Sequence, residues 1–168
     1  MSIISATIII LLLLLLLLLI ISPILLGAPY YPTNNNGVRA ILKLADVKKG
    51  EKAIDLGSGD GRLVIALAKE GAETHGIEIN PVLVLISRIR IRKANLHGKA
   101  FIQWGSFWNV KFNEYDIITI FGIKGIMGKL EKRLKNEGKT EARILSHAFK
   151  FPTWKARKEI NGNYLYKK

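Results

Sequence analysis

The sequence predicts an α/β fold, a small doubly wound and mostly parallel sheet, preceded by one N-terminal transmembrane helix. Two observations predict it. Residues 3–26 form an apolar run, and no charged residue or histidine precedes Arg39. Beyond the run, short apolar strands alternate with helical segments, as in the right-handed crossovers of a parallel sheet. These patterns divide the chain into an anchor over residues 1–28, a proline- and tyrosine-containing segment over 29–37 and a domain over 38–168.

The apolar run is long enough to cross a bilayer. As a helix it would measure about 36 Å, against about 30 Å of hydrocarbon. The consecutive leucines Leu11 to Leu19 leave no polar face, which argues against an interfacial helix. A signal peptide cleaved at Gly27-Ala28 is the alternative, but the run is longer than such peptides use and carries no cations before it. Since the first cations follow the run, the N-terminus is expected outside and the domain in the cytoplasm.

The composition narrows the chemistry that the domain can carry. The chain has 26 Lys and Arg against 13 Asp and Glu, a net charge of +13, and no cysteine. Without cysteine it can form no disulfide, no thiolate zinc site and no cysteine nucleophile, and we predict no metal site. The basic charge suits nucleic acid, but cations close to an anchor also suit anionic lipid.

The spacing of apolar residues predicts the elements of the domain. Asn36 is predicted to cap a helix over residues 37–45, and Asn80 with Pro81 to begin a helix that continues to Asn95. The other predicted helices cover residues 61–69 and 126–135. The predicted strands cover residues 52–56, 73–79, 100–103, 115–121, 142–151 and 164–166.

A glycine-rich turn joins the first strand to the helix that follows it, in Asp55-Leu56-Gly57-Ser58-Gly59-Asp60-Gly61. Glycine at alternate positions permits a sharp turn and a close approach of a ligand to the backbone. Glu78 ends the next strand, where a carboxylate can accept hydrogen bonds from both hydroxyls of a ribose. Strand, glycine turn, helix, strand and acid together predict a nucleoside site at the carboxyl edge of the sheet.

The spacing of this turn distinguishes between nucleoside cofactors. It has the form G-x-G-x-G rather than the G-x-G-x-x-G of dinucleotide sites, and no P-loop lysine follows it. The carboxylates of Asp55 and Asp60 would repel a pyrophosphate but would attract the ammonium and sulfonium groups of S-adenosylmethionine. The electrostatics therefore favour S-adenosylmethionine over NAD or ATP.

These residues resemble the class I S-adenosylmethionine-dependent methyltransferases, which have a Rossmann-like domain. The runs from Asp55 to Arg62 and from Glu78 to Pro81 are similar to those of the membrane-tethered protein lysine methyltransferases. The named eukaryotic members of that family modify the c-subunit of ATP synthase. Pro29-Tyr30-Tyr31-Pro32-Thr33 matches the proline-aromatic segment of the family, and the resemblance extends to Trp154.

The resemblance implies roles for individual residues. Asp55 and the glycines would hold the methionine end of the cofactor, and Glu78 would bind the ribose. Ser106 and Phe107 would contact the adenine, although the family has an acid here and Ser106 supplies only a hydroxyl. The implied cofactor-binding residues are Asp55, Gly57, Ser58, Gly59, Asp60, Gly61, Glu78, Asn80, Ser106 and Phe107.

The resemblance also implies a methyl acceptor, a lysine side chain of a protein at the membrane. The segment 29–37 is either a juxtamembrane linker or an active-site lid, and the family pattern favours the lid. Tyr30, Tyr31, Phe121 and Trp154 are candidates for an aromatic slot around the lysine, with packing as the alternative for the tyrosines and the tryptophan. The sequence does not identify a catalytic base. The three histidines are interpreted as structural or exposed: His75, His97 and His147.

Two other functions stay open. An RNA methyltransferase would use the net charge and the basic residues of one helix, Arg88, Arg90, Arg92 and Lys93, to bind phosphates. However, Phe121-Gly122-Ile123-Lys124 lacks the Pro-Pro-aromatic motif of enzymes that methylate amino groups of nucleic acids. The second is a membrane-tethered scaffold that keeps the fold without catalysis, and the intact glycine turn and Glu78 argue against it.

Overall fold

The computed structural model of the chain describes residues 3–26 and 32–168, without the side chains of Leu16 and residues 18–26. The chain divides into two units, Met1–Tyr30 and Tyr31–Lys168. In the first unit, Ile3–Leu26 is a helix, α1. Among the residues whose side chains the structure describes, no helix is long and apolar enough to cross a bilayer. The predicted transmembrane helix is therefore not supported there and stays a prediction.

The second unit is a seven-stranded sheet with helices on both faces. Its helices are α2 (Asn35–Ala45), α3 (Arg62–Lys69), α4 (Pro81–Lys93) and α5 (Lys124–Glu137). Its strands are β1 (Lys52–Leu56), β2 (Glu73–Glu78), β3 (Ala100–Trp104), β4 (Ile117–Ile120), β5 (Arg143–His147), β6 (Lys158–Ile160) and β7 (Asn163–Lys167). Two single 3₁₀ turns, Phe107–Asn109 and Phe112–Glu114, lie between β3 and β4.

The strand order is β3-β2-β1-β4-β5-β7-β6. The first five strands of the chain are parallel to one another, and β7 pairs antiparallel with both β5 and β6. The predicted α/β fold with a doubly wound, mostly parallel sheet is confirmed. Because β1 to β5 all point the same way, their carboxyl ends share one edge of the sheet.

Alternation along β1 divides the core between the two faces of the sheet. Ala53 packs with residues of α2 and α3, whereas Ile54 and Leu56 pack with residues of α5. A third cluster joins α3, α4 and β3. Since the central strands β1 and β4 are buried on both faces, their residues form nearly continuous apolar runs in the sequence.

One of the two predicted helix N-caps is confirmed by the structure, and the other is wrong. Asn80 caps α4 as predicted, and its side chain accepts hydrogen bonds from the N–H groups of Val82 and Leu83. For α2 the predicted cap was wrong. The cap is Asn34, whose Oδ1 accepts from Gly37 N at 2.8 Å, so the helix begins two residues earlier than expected. The predicted segment 29–37 therefore ends inside α2.

The predicted strand 142–151 was too long. β5 ends at His147, and Ala148 has a positive φ of 65°, which turns the chain out of the sheet. The apolar residues beyond the turn are not strand residues. Phe151 is buried against Tyr166 of β7, with ring centroids 4.8 Å apart. β6 was not predicted, because its three residues carry no alternating apolar pattern.

We expect Tyr166→Phe to lower the free energy of unfolding by roughly 1–3 kcal/mol. The Tyr166 hydroxyl is buried and accepts a hydrogen bond from Phe151 N at 3.1 Å, so its removal leaves a buried N–H without an acceptor. Chemical denaturation of the full chain in detergent measures the change. Tyr164→Phe is the matched control, since its hydroxyl has no partner within the described residues. Equal effects of the two substitutions would contradict this account.

Candidate active site

The glycine turn lies between β1 and α3, with its backbone held against β2. Gly57 and Gly61 have φ angles of 76° and 75°, a region that residues with a Cβ rarely adopt. The N–H groups of Gly57 and Ser58 both donate to Ile77 O, at 2.9 and 3.0 Å. A Cβ added at Gly57 would meet no atom within 4 Å. The turn is therefore held to β2 on one side and open at Gly57 on the other, as a ligand-binding turn must be. We call this open side of the turn the cradle.

Glu78 lies beside this cradle, as predicted. Its side chain is nearly buried, and each carboxylate oxygen accepts one backbone N–H, from Gly59 at 2.9 Å and from Asn80 at 2.8 Å. A carboxylate oxygen has two lone pairs, so both oxygens keep one for a further donor. Two fixed acceptors side by side fit the two hydroxyls of a ribose. The residues present therefore fit a nucleoside cofactor.

Asp55 is buried on β1 and faces β4. Thr119 Oγ1 donates to Asp55 Oδ1 at 2.7 Å. Burial raises the pKa of Asp55 to about 7, because the effect of desolvation exceeds that of the hydrogen bond, and the charges of Glu78 and Asp60 act in the same direction as burial. A nearby ammonium group would favour the ionised form of this carboxyl.

Asp60 corrects part of the electrostatic prediction. Its carboxylate forms ion pairs with Arg62, at 2.8 Å, and with Arg90 of α4. Burial favours the neutral acid, but the hydrogen bond from Arg62 and the two guanidinium charges together lower the pKa of Asp60. Its charge is compensated by the two arginines, through which Asp60 joins the turn to α4. Cofactor binding by Asp60 stays a prediction.

Ser58 also differs from its predicted role as a cofactor ligand. Its hydroxyl is the one buried side-chain oxygen or nitrogen without a hydrogen bond in the described part of the chain. A Cβ built on Gly76 of β2 would lie 2.7 Å from Ser58 Cβ and Oγ. The Ser58 side chain therefore points down onto β2, away from the open side of the turn.

The remaining predicted cofactor residues border the same edge. Asn80 caps α4, and its N–H is one of the two that bind Glu78. Ser106 and Phe107 follow β3, where the Ser106 hydroxyl accepts from Trp108 N at 3.4 Å and caps the first 3₁₀ turn. Adenine contact by Ser106 and Phe107 stays a prediction.

The four aromatic residues predicted to line the acceptor slot do not all lie at one place in the structure. Tyr30 and Tyr31 lie outside the described residues. Phe121 follows β4 at the carboxyl edge, and its ring meets that of His147 edge-on, with centroids 4.4 Å apart. Trp154 packs instead on Phe151 and Tyr166, and Lys135 of the last turns of α5 lies over its ring.

The position of Trp154 decides between its two interpretations. Helix α5 leaves the carboxyl edge at Lys124 and runs back along the sheet to Glu137, so Lys135 is far from that edge. Trp154 therefore packs against the core beside α5. The packing alternative is the one that the contacts support.

The described end of the proline-aromatic segment is fastened to the glycine turn. Thr33 is buried, and its carbonyl accepts a hydrogen bond from Arg62 Nη1 at 2.8 Å. The same guanidinium binds Asp60. Gly37, the last residue of the segment, lies against His147, since a Cβ on Gly37 would lie 3.1 Å from His147 Cε1.

His147 is a site residue that the sequence prediction treated as structural or exposed. Leu56, Ile120 and Ser146 are paired in register across β1, β4 and β5. Gly57, Phe121 and His147 each come one residue later, so they form the next row at the carboxyl edge. The only sequence signal was the position of a histidine at the end of a strand, which requires the strand boundary to be known.

Asn163 fixes the tautomer of His147. The buried Asn163 donates through Nδ2 to Ile160 O and Asn161 O, at 3.0 and 3.1 Å, which directs its Oδ1 at His147 Nδ1, 2.7 Å away. An amide oxygen only accepts hydrogen bonds, so His147 Nδ1 carries the proton. In the neutral ring, Nε2 then has a free lone pair.

We expect stability to fall as the pH rises from 5 to 7 because of Asp55. Its folded pKa of about 7 exceeds the unfolded value of 3.8, so over this range the folded chain holds a proton that the unfolded chain has lost. Each rise in pH then favours unfolding, until the loss ends above pH 7. Asp55→Asn should abolish this decrease in denaturation experiments, whereas Asp116→Asn should retain it. Parallel pH profiles of Asp55→Asn and the unmodified chain would refute the assignment.

Comparison with known proteins agrees with this site. The family model described as ANTKMT methyltransferase domain matches residues 55–158. The ATP synthase c-subunit lysine N-methyltransferase of Homo sapiens is 38% identical over 126 residues, which are 75% of this chain and 54% of that protein. The chain thus spans about half the length of that relative. A protein-lysine N-methyltransferase of Saccharolobus islandicus is 33% identical over 148 residues, covering 82% of this chain and 92% of its own.

A solved structure gives the same result for the fold. An RNA methyltransferase from Salinibacter ruber, in complex with S-adenosyl-L-homocysteine, superposes with a TM-score of 0.76 at 29% identity, over 82% of this chain and 92% of that one. The family match covers the glycine turn, Glu78 and the sheet as far as the start of β6. The chain therefore belongs to the ANTKMT methyltransferase domain family, within the class I S-adenosylmethionine-dependent methyltransferases.

Proposed function

We propose that the protein transfers a methyl group from S-adenosylmethionine to the ε-amino group of a lysine in another protein. One geometric observation carries the proposal. The row Gly57, Phe121, His147 places an open cofactor cradle, an aromatic wall and a nitrogen lone pair on three adjacent strands. Relatives that cover most of this chain are named as lysine methyltransferases, which supports a lysine acceptor.

The chain's own residues bind and orient the cofactor. When bound, S-adenosylmethionine supplies a methyl group on a positively charged sulfur. Glu78 would accept the ribose hydroxyls, and the glycine turn would support the adjoining backbone side of the ligand. The buried Asp55 would hold the ammonium of the methionine end, and a positive partner there would favour its ionised form. Because Gly59 and Asn80 already fix Glu78, binding requires little rearrangement of the site.

The acceptor lysine must lose a proton before its nitrogen can attack. A free lysine has a pKa of about 10.4, so at neutral pH almost all of it is protonated. The lone pair on His147 Nε2 is suited to take that proton, and the Asn163 amide holds the ring in the tautomer that makes it available. Phe121 presents its ring beside His147 and would contact the methylene chain of the lysine.

We further propose that residues 3–26 anchor the protein in a membrane, with the N-terminus outside and the domain in the cytoplasm. The support is in the sequence, namely the uncharged apolar run and the cations that follow it at Arg39, Lys43, Lys48 and Lys49. An anchored enzyme meets membrane proteins at high local concentration, so the favoured substrate is a protein associated with the same bilayer. The segment 29–37 would then close over the acceptor slot as a lid.

RNA is the second candidate acceptor. It is favoured by the net charge of +13 and by the likeness to the Salinibacter ruber protein, which is called an RNA methyltransferase. Against it, Phe121-Gly122-Ile123-Lys124 lacks the Pro-Pro-aromatic motif of enzymes that methylate amino groups of nucleic acids, and the relatives that cover most of this chain are named as lysine methyltransferases. A catalytically silent scaffold is the third outcome.

The acceptor is identified by incubating the full-length protein with isotope-labelled S-adenosylmethionine and native membranes from a strain that lacks it. We expect label on lysine of a membrane protein, and we expect the enzyme itself to stay in the pellet after an alkaline carbonate wash. Label confined to RNA would establish the rival function. Cofactor binding without any labelled product would indicate the scaffold, and release by carbonate would refute the anchor.

We expect Glu78→Gln to weaken the binding of S-adenosylhomocysteine by about 10- to 100-fold, the range of a lost hydrogen bond to a charged group. An amide at this position keeps one acceptor oxygen and loses the other. Isothermal titration calorimetry gives the dissociation constant. Ser58→Ala serves as the control and should bind as the unmodified chain does, since its hydroxyl points onto β2. Unchanged affinity in Glu78→Gln would refute the ribose assignment.

His147→Gln should lower the rate of methyl transfer by about 100-fold at pH 7, the lower end of general base effects. The deficit should shrink as the pH approaches 10, where the lysine loses its proton without help. The corresponding control is His97→Gln, which alters an exposed histidine far from the carboxyl row. A deficit that is the same at pH 7 and pH 10 would mean that His147 only shapes the slot.

A further inference from the structure

Helix α4 is apolar on the side that faces away from the sheet. Its inner face buries Val84, Ser87 and Ile91, as a surface helix should. On its outer face four aliphatic side chains are exposed: Val82 by 46%, Leu85 by 60%, Ile86 by 39% and Ile89 by 44%. Their spacing of three, four and seven residues puts them on one stripe. A helix that meets only water ordinarily carries polar residues there.

The surroundings of this stripe are strongly cationic. Residues 79–113, which include α4 and the edge strand β3, contain no Asp or Glu. The Lys and Arg residues of this stretch are Arg88, Arg90, Arg92, Lys93, Lys99 and Lys111. Arg90 is paired with Asp60 and Arg88 donates to Ile102 O, but Arg88, Arg92 and Lys93 are all exposed.

Trp104 extends the apolar surface onto the sheet edge. It ends β3, is 63% exposed, and donates from Nε1 to Ile79 O at 2.9 Å, which fixes the ring near the start of α4. Tryptophan with a satisfied N–H and an exposed ring is the residue that proteins place at a lipid headgroup boundary.

We propose that the outer face of α4, formed by Val82, Leu85, Ile86 and Ile89 with Trp104 beside it, binds the surface of an anionic lipid bilayer. Aliphatic side chains would enter the headgroup boundary, and the cations of the helix would lie among anionic headgroups. This contact is separate from the proposed anchor and does not depend on the identity of the methyl acceptor. Because α4 begins three residues after Glu78, it would hold the cofactor site at the bilayer surface.

The combination of cations and aliphatic side chains on α4 favours an anionic bilayer over RNA or a second copy of the chain. RNA would satisfy the cations but would leave the aliphatic stripe in water. A second copy of the chain in a two-fold interface would bring the same cations face to face, which costs free energy. An anionic bilayer satisfies both features at once.

The absence of cysteine makes a site-specific test possible, since one introduced thiol is unique. We would place an environment-sensitive fluorophore on Ile86→Cys, and on Lys132→Cys of the exposed face of α5 as the control. The full-length protein is reconstituted into vesicles of neutral phosphatidylcholine, with or without about 30% phosphatidylglycerol to supply anionic headgroups. We expect a blue shift and quenching by lipid-borne quenchers at position 86 only, at least twofold stronger with anionic lipid and reduced by high salt.

Variants that introduce negative charge complete the test. Leu85→Glu with Ile89→Glu should remove the blue shift at position 86, whereas Lys132→Glu should not, and both proteins should still bind S-adenosylhomocysteine, which shows that they fold. Equal signals at positions 86 and 132 would overturn the proposal. So would a shift at position 86 that rises with protein concentration in detergent without lipid, because a second copy would then be covering the face.

Discussion

The carboxylate of Glu78 is the constraint on which the rest of the site depends. One oxygen accepts the N–H of Gly59 and the other that of Asn80, so a single side chain fixes the glycine turn and the start of α4 together. Those two contacts are formed before any ligand arrives. The remaining lone pairs then face a defined space, and a nucleoside meets acceptors whose positions are already set.

A second set of contacts holds the same elements from the outside. Asp60 binds Arg62 and Arg90, and Arg62 reaches the carbonyl of Thr33. The turn, α4 and the end of the proline-aromatic segment therefore share one ion-pair network. Arg90 lies 30 residues from Asp60 in the chain, and the two meet because β1 and β2 are neighbours in the sheet. Thr33 lies 29 residues from Arg62, so this contact too depends on the tertiary fold.

Local signals in the sequence predicted most of the fold and the cofactor side of the site. Asn80 before Pro81 placed α4, and the glycine turn followed by Glu78 placed the cradle. What depends on tertiary contacts was not predicted. The charge of Asp60 is compensated by an arginine of another helix, Trp154 is packed behind α5, and the tautomer of His147 is set by Asn163 on β7. Apolar content could not show where β5 ends, because Phe151 is as buried in a loop as it would be in a strand.

Gly76 sets the height of the cofactor cradle above the sheet. It has no side chain, and the Ser58 side chain occupies the place where its Cβ would be. A methyl group at position 76 would lie 2.7 Å from Ser58 Cβ and from Ile102 Cδ1, so both side chains would have to move. The close packing of the glycine turn on β2 thus depends on the absence of a side chain at position 76. In this chain the spacing between the glycine turn and the sheet is therefore set on the side of the turn that faces β2, opposite the side that is open to a ligand.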